Sequence, residues 1–276
     1  TPLYSSAASD VYKRQALGSM FIFWDIETAP MECLQFQAKT DYITHDCVVE
    51  PTTLICGAWK YSGNKTIHSI EINPRQPRND KKVVTELHKM LMDCAENNHI
   101  LVHQNGDRFD IPKLESRAIY YGLKPLPSLT VVDTLKQARK FGFDYYRLDF
   151  LDRHLCDAGK VEHRGFAMWK DIVSKHSDLK TRTKSLKEMV HYCRGDIKSL
   201  ERVFQKLRPY MKQFPNMNFW QGTTDSCPNC GSKNTIFRSQ PKFTLTRAYR
   251  RKSCNDCHKW HQESKSIKDY QAQVKL

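Results

Sequence analysis

Residues 20–28 read Met-Phe-Ile-Phe-Trp-Asp-Ile-Glu-Thr, an apolar, aromatic run that ends on two carboxylates. A short run of this composition is a buried strand. Side chains alternate along a strand, so Asp25 and Glu27 share one face. Two carboxylates at the end of an apolar strand are costly unless something neutralises them.

Working outward, 53–61 and 66–72 are two more strands, joined by the hairpin signal Ser62-Gly63-Asn64. Residues 81–97 are helical, with Val84, Leu87, Leu91 and Cys94 on one stripe. Residues 100–103 (ILVH) form a fourth strand, and 112–121 a helix with Asp110 near its N-cap and Gly122 after it. Val131 and Val132 make a short strand leading into 134–140. Helical pieces follow around 148–155 and 169–173. The last long helix spans about 183–207, with Val190, Cys193, Ile197, Leu200, Phe204 and Leu207 as its core stripe. This order implies an α/β layered domain over 20–212, a mixed sheet flanked by helices.

The chain of 276 residues carries a formal net charge of +14, which points to a polyanionic partner, nucleic acid first. No apolar run reaches the ~18–20 residues of a spanning helix, and no basic amphipathic helix favours a membrane surface. A basic protein that also gathers carboxylates at strand ends needs a reason, because bare carboxylates repel phosphate. Hard divalent cations reverse that: Mg²⁺ takes oxygen ligands and bridges to phosphate, and two such ions can clamp both oxygens of a displacement. Further acidic candidates are Asp110, in the run 103–114, and Asp196, one helical turn beyond Tyr192. His191, five residues before Asp196, is an alternative to Tyr192.

These motifs carry a resemblance. Residues 21–208 resemble the DEDD 3′–5′ exonucleases, which have an RNase H-like fold, and are especially similar to the exonuclease domain of family B DNA polymerases and its stand-alone, often phage-encoded, relatives. Asp25-Ile26-Glu27-Thr28 matches D-x-E-T. Asn105, Phe109, Asp110, Pro112 and Leu114 match N-x-x-x-F-D-x-P-x-L. Tyr192 and Asp196 match Y-x-x-x-D. Residues 132–135 and 147–151 resemble two further stretches of the family. The resemblance implies that Asp25 bridges two Mg²⁺ or Mn²⁺ ions, that Glu27 and Asp196 complete the shell of the first and that Asp110 holds the second. It implies that Tyr192 orients the attacking water, with Asn105 and Phe109 contacting nucleic acid. A related subclass uses His as base, which would be His191. The implied activity is removal of terminal nucleotides from single-stranded 3′ ends, DNA ahead of RNA. Because no polymerase follows, any partner polymerase or replication protein would act in trans. An RNA-trimming or structure-selective nuclease and a non-catalytic nucleic-acid-binding protein on the same scaffold are the alternatives.

After an apparent linker at 213–224, the composition changes: residues from 221 on hold about half the net charge in about a fifth of the length. Cys227, Cys230, Cys254 and Cys257 form two C-x-x-C pairs, the ligand set of one structural Zn²⁺. The segment 225–262 resembles a zinc ribbon, followed by a tail over 263–276. Gly231 eases the turn after the first pair. His258 stands at that place in the second and either strains the turn or supplies a ligand. On the loop between the pairs, Arg247, Tyr249, Arg250, Arg251 and Lys252 mix cations with aromatics, a nucleic-acid contact or else a protein-binding surface. Lys136, Arg139, Lys140, Phe141 and Tyr146 are a second such stretch. The six other cysteines are scattered, and with no signal peptide they read as reduced thiols in the cytoplasm of a bacterial or phage-infected cell. Ser5–Gln15 (SSAASDVYKRQ) resembles a translated sequencing adapter, so 1–19 are read as an artefact or a disordered tail, with the start at Met20 or lost upstream.

Overall fold

The computed structural model describes residues 20–37, 39–159, 161–223 and 225–267. The adapter-like segment 1–19 and residues 268–276 of the expected tail lie outside them. The chain divides into two units, one ending at Phe204 and the other beginning at Gln205.

The first unit is built on a five-stranded sheet of order β5-β4-β1-β6-β7. The strands are β1 (Phe21–Thr28), β4 (Leu54–Tyr61), β5 (His68–Glu71), β6 (Ile100–His103) and β7 (Thr130–Asp133). β1, β4 and β5 pair antiparallel, whereas β6 and β7 run parallel to β1, so the sheet is mixed as expected. A two-stranded sheet of β2 (Glu32–Cys33) and β3 (Val48–Glu50) lies outside it. The helices of this unit are α1 (Lys81–Glu96), α2 (Asp110–Tyr120), α3 (Thr134–Ala138), α4 (Leu148–Cys156), α5 (Phe166–Val173) and α6 (Leu179–Leu207), the last crossing into the second unit.

β1 is central and its two faces are buried differently. Phe21 and Phe23 put their rings 5.1 and 5.4 Å from Phe204 of α6. Burying such a ring contributes roughly 1.5–3 kcal/mol. On the same face, two residues on, Asp25 meets Cys193, whose Sγ lies 3.7 Å from the Asp25 carbonyl and 3.8 Å from Oδ2. α6 therefore runs back along β1, and the aromatic contact fixes its register so that the turn 192–196 faces the carboxylates. The other face carries Ile22, Trp24 and Ile26, all buried. α1 packs closely over β4 because Gly57 has no side chain: a Cβ there would lie 2.7 Å from Leu87 Cδ1.

The second unit contains α7 (Met217–Gln221) and an antiparallel sheet of order β10-β9-β8, with β8 (Thr235–Phe243), β9 (Ala248–Cys254) and β10 (Trp260–Ser266). The stretch read as a linker thus holds a helix, tied to the first cysteine turn by Met217 N–H donating to the Pro228 carbonyl at 2.8 Å. Residues 263–266, read as tail, complete β10.

Candidate functional site

β1 does not end before its carboxylates. Asp25 and Glu27 pair across to Ala58 and Cys56 of β4, and an irregularity follows Glu27. On the other side β6 stops pairing after Phe23–Val102. The N–H of Ile26, between the two acids, donates instead to Asp110 Oδ1 at 3.2 Å. Asp110 is therefore not a helix cap. Phe109 occupies the N-cap of α2 without a side-chain bond, and the Asp110 carboxylate reaches across to β1. Burial pushes Asp110 up to about 6, against the pull of His103 and of the Ile26 N–H.

From α6, Asp196 completes the group: one oxygen each from Asp25, Glu27 and Asp196 lies within 4.8 Å of the others. Asp196 is buried and its two neighbours are half-buried. Three carboxylates this close repel one another, and an all-oxygen donor set suits a hard divalent cation. The residues present thus fit a Mg²⁺ or Mn²⁺ centre, with Asp110 held one backbone group away.

Asp25 and Asp196 open into a cleft of about 680 Å³ that is lined also by Asn105, Arg139, Tyr146 and Tyr192 among others. Tyr192 faces this cleft, whereas His191 is exposed on another face of α6 and is not among the lining residues. Asn105 sits at φ 66°, in the left-handed region, where its N–H donates to Asp133 Oδ1 at 3.0 Å. Asp133 also caps α3 through Leu135 and Lys136 N–H, so it shapes the loop carrying Asn105. Phe109 is 38% exposed and lies outside the cleft lining. Of the second basic stretch, Arg139 and Tyr146 line the cleft, while Lys136 pairs with Asp107. Asp107 is half-buried. Its bonds to His103 and Lys136 hold its carboxyl down at about 2.

His163 went unnoticed in the sequence. It lines the cleft, and its ring stands edge-on to Tyr192 at 4.5 Å between centroids. Three features hold its strap, the irregular residues 161–165, against α6. A Cβ at Gly195 would lie 2.6 Å from Val161 Cγ2, so the helix glycine is what admits the strap. Arg164 ties it to Glu188, to Asp171 and to Ser185. Gly165 turns the chain at φ 68°. The one legible trace was Gly195, out of place in a helix interior.

In the second unit the Sγ atoms of Cys227, Cys230, Cys254 and Cys257 lie within 4.8 Å of one another, with 3.7 Å between Cys227 and Cys257 and 3.6 Å between Cys230 and Cys254. Tetrahedral Zn–S bonds of ~2.3 Å require sulfurs ~3.8 Å apart, so the set fits Zn²⁺. Asn229 Nδ2 donates to Cys257 Sγ at 3.5 Å. The two turns are built alike: Cys227 N–H donates to the Ser232 carbonyl and Cys254 N–H to that of Lys259. The fifth residue of each, Gly231 at φ 80° and His258 at φ 59°, is left-handed. His258 bears the cost of roughly 1–2 kcal/mol that a Cβ incurs there. His258→Gly is expected to raise the melting midpoint of the zinc-loaded protein by relieving about 1 kcal/mol; a lowered midpoint would mean that the imidazole itself supports the site.

The cations between the cysteine pairs do not form one loop surface. Arg250, Arg251 and Lys252 lie on β9, the central strand, so successive side chains face opposite sides. On one side Trp260 packs under Arg238 and Arg251, at 4.9 and 5.7 Å; on the other Phe237 packs under Lys252 and Arg250, at 4.5 and 5.9 Å. Arg247 is exposed in the β8–β9 turn, and Tyr249 is half-buried opposite Lys242.

Among the described residues no helix is long and apolar enough to cross a membrane. No curated protein matches the sequence. The family B DNA polymerase from the hyperthermophilic archaeon Pyrobaculum calidifontis superposes on 69% of the chain at 17% identity with a TM-score of 0.48, and the chain spans 24% of that polymerase. The family model of the RNase_H superfamily matches residues 49–208, from β3 to the end of α6, with Asp25 and Glu27 ahead of the matched span. With that match covering more than half of its length, and with the mixed sheet and acidic cluster described above, the chain belongs to the RNase H superfamily and has a nuclease-type fold.

Proposed function

We propose that the chain is a two-metal-dependent 3′–5′ exonuclease that hydrolyses the terminal phosphodiester of single-stranded nucleic acid, with DNA preferred. The observation that carries this reading is the clustering of Asp25, Glu27 and Asp196, from β1 and α6, at a cleft that Asp25, Asp196 and Tyr192 line, with Asp110 bonded to the backbone between the first two. Asp25, Glu27 and Asp196 would hold one cation, and Asp25 and Asp110 the other. When bound, these ions supply Lewis-acid activation of water and neutralise charge on the leaving oxygen. Tyr192 orients the attacking water, its ring held by His163. Asn105, Arg139 and Tyr146 grip the end of the strand.

The C-terminal sheet is read as a zinc ribbon that offers its cation-covered aromatics, Trp260 and Phe237, to the strand. On this reading Arg250 and Arg251 contribute from opposite faces, and Arg247 from the β8–β9 turn. A separate polymerase or replication protein remains the proposed protein partner.

The test is a time course on 5′-labelled single-stranded DNA and RNA with Mg²⁺ or Mn²⁺. Stepwise shortening from the 3′ end that needs the cation supports the reading, and internal cuts or no cleavage overturn it. In the same assay Tyr192→Phe is expected to slow cleavage on the order of 100-fold. His191→Ala, on the exposed face, should stay near wild type, and His163→Ala should fall between them. A dead His191→Ala beside a normal Tyr192→Phe would reverse the assignment of the base.

A further inference from the structure

A second cleft, of about 890 Å³, lies in the first unit beyond the end of β1. Arg75, Arg78, Lys81, Arg117, Lys175 and Arg182 line it, and Glu50 is the one carboxylate among the lining residues. Two of the six cations are neutralised at short range, Arg117 by a two-pronged pair with buried Asp80 and Lys175 by Glu50 at 3.3 Å. Two others are held chiefly by neutral carbonyls. Arg182 donates to the carbonyls of Pro74, Ser174 and Ser177. Arg78 donates to those of Pro30 and Pro51 and makes a long ion pair with Glu32 at 3.9 Å, with Glu50 also near enough to attract its charge. A neutral carbonyl orients a guanidinium and leaves its charge in place. Burial holds Arg78 below the usual arginine range, a sign of a cation held against its own desolvation. Arg75 and Lys81 are exposed, with no carboxylate partner among the described residues. At the rim Tyr120 is 71% exposed, its ring 4.5 Å from the Arg117 guanidinium.

The cleft adjoins the acidic site. The chain leaves Glu27 and reaches Pro30, whose carbonyl holds Arg78, within three residues, at most ~11 Å. Its volume far exceeds what one phosphate needs, and exposed Tyr120 offers a face for a base.

We propose that this cleft binds the backbone phosphates of the single strand upstream of its 3′ end, acting as a second grip beside the carboxylates. The proposal rests on the nuclease reading only for which end of the strand lies at the acids. Binding is measured separately from cleavage: fluorescence anisotropy of the full chain with labelled single strands, Ca²⁺ replacing Mg²⁺, over a range of salt. The variant Arg75→Gln/Lys81→Gln removes the two exposed cations, and circular dichroism checks its fold. For a twenty-nucleotide strand the expected result is an affinity loss of about tenfold at low salt and a salt slope shallower by about 1.4, at ~0.7 per phosphate contact. For a four-nucleotide strand, too short to fill both clefts, the loss should be smaller. Should the double variant misfold, Arg75→Gln alone tests the same point with a slope change of about 0.7. Equal affinity and slope for the long strand overturn the proposal. So does a nucleoside triphosphate that binds wild type but not the variant while strand binding is equal in both, since the cleft would then hold free nucleotide. Wild-type protein that binds strands but never cleaves them would refute the nuclease reading and leave the second grip standing.

Discussion

Asp110→Asn is expected to lose cleavage by about a thousandfold or more while melting no earlier than wild type when no Mg²⁺ is added. The rate follows from the chemistry: a carboxylate that holds a cation contributes several kcal/mol to the transition state, and ~4 kcal/mol is about a thousandfold. The stability follows from the packing. Asp110 is 3% exposed, and burial pushes its carboxyl up to about 6, so at neutral pH its charge opposes folding. The amide is neutral and keeps the oxygen that accepts the Ile26 N–H. Added Mg²⁺ should raise the wild-type melting midpoint, by linkage, and raise that of the variant less. The checks are melting curves with and without Mg²⁺ and the 3′-shortening assay. A variant that cleaves at the wild-type rate would remove Asp110 from the site, and one that melts far earlier would make it a structural residue.

The second large effect concerns the four cysteines. Stripping the metal, or Cys227→Ser, is expected to unfold the C-terminal sheet while the unit ending at Phe204 stays folded. In that sheet β8 is exposed along nearly its whole length, and Ala248 and Cys254 are the buried apolar residues of β9. So small a core cannot offset the entropy of ordering three strands. Zinc binding at a four-thiolate site, worth roughly 10–16 kcal/mol, is then the folding energy of the module. Without the cation, burial and neighbouring sulfurs push the Cys227 and Cys230 thiols up, and the module lacks the cross-link that the metal would supply. Limited proteolysis with and without chelator, and a colorimetric count of released zinc, test this. One zinc per chain and cleavage confined to the C-terminal sheet are the expected results; equal protection in both conditions would mean that the sheet folds on its own contacts.

Much of this was written in local pattern. The run 20–28 already contains the central strand, because burial on both sides leaves an apolar stretch. The stripe of α6 and the C-x-x-C pairs are also local, since periodicity and ligand spacing depend on neighbours only. The acids were therefore legible as residue types at fixed places in elements. Tyr192 and His191 were not separable with certainty, because both precede Asp196 by about one turn. What puts Tyr192 and not His191 on the cleft is the register of α6 on β1, set by Phe204 against Phe21 and Phe23.

Other features depend on contacts between distant parts of the chain, and no local pattern encodes them. Asp110 was legible as an acidic candidate near a helix N-cap, but the sequence gives its distance from Pro112 and not the Ile26 N–H that it accepts where β6 stops pairing. His163 carries no periodic signal; its place on Tyr192 exists because Gly195, over thirty residues later, has no Cβ. The basic residues between the cysteines read as one patch until strand alternation sent Arg250 and Arg251 to opposite faces. The second cleft draws cations from four separate segments, each unremarkable alone. Composition and spacing fix which groups a chain owns and which of its faces are apolar. Which of those groups meet is decided by the packing of those faces, because only close packing sets distances between residues far apart in sequence.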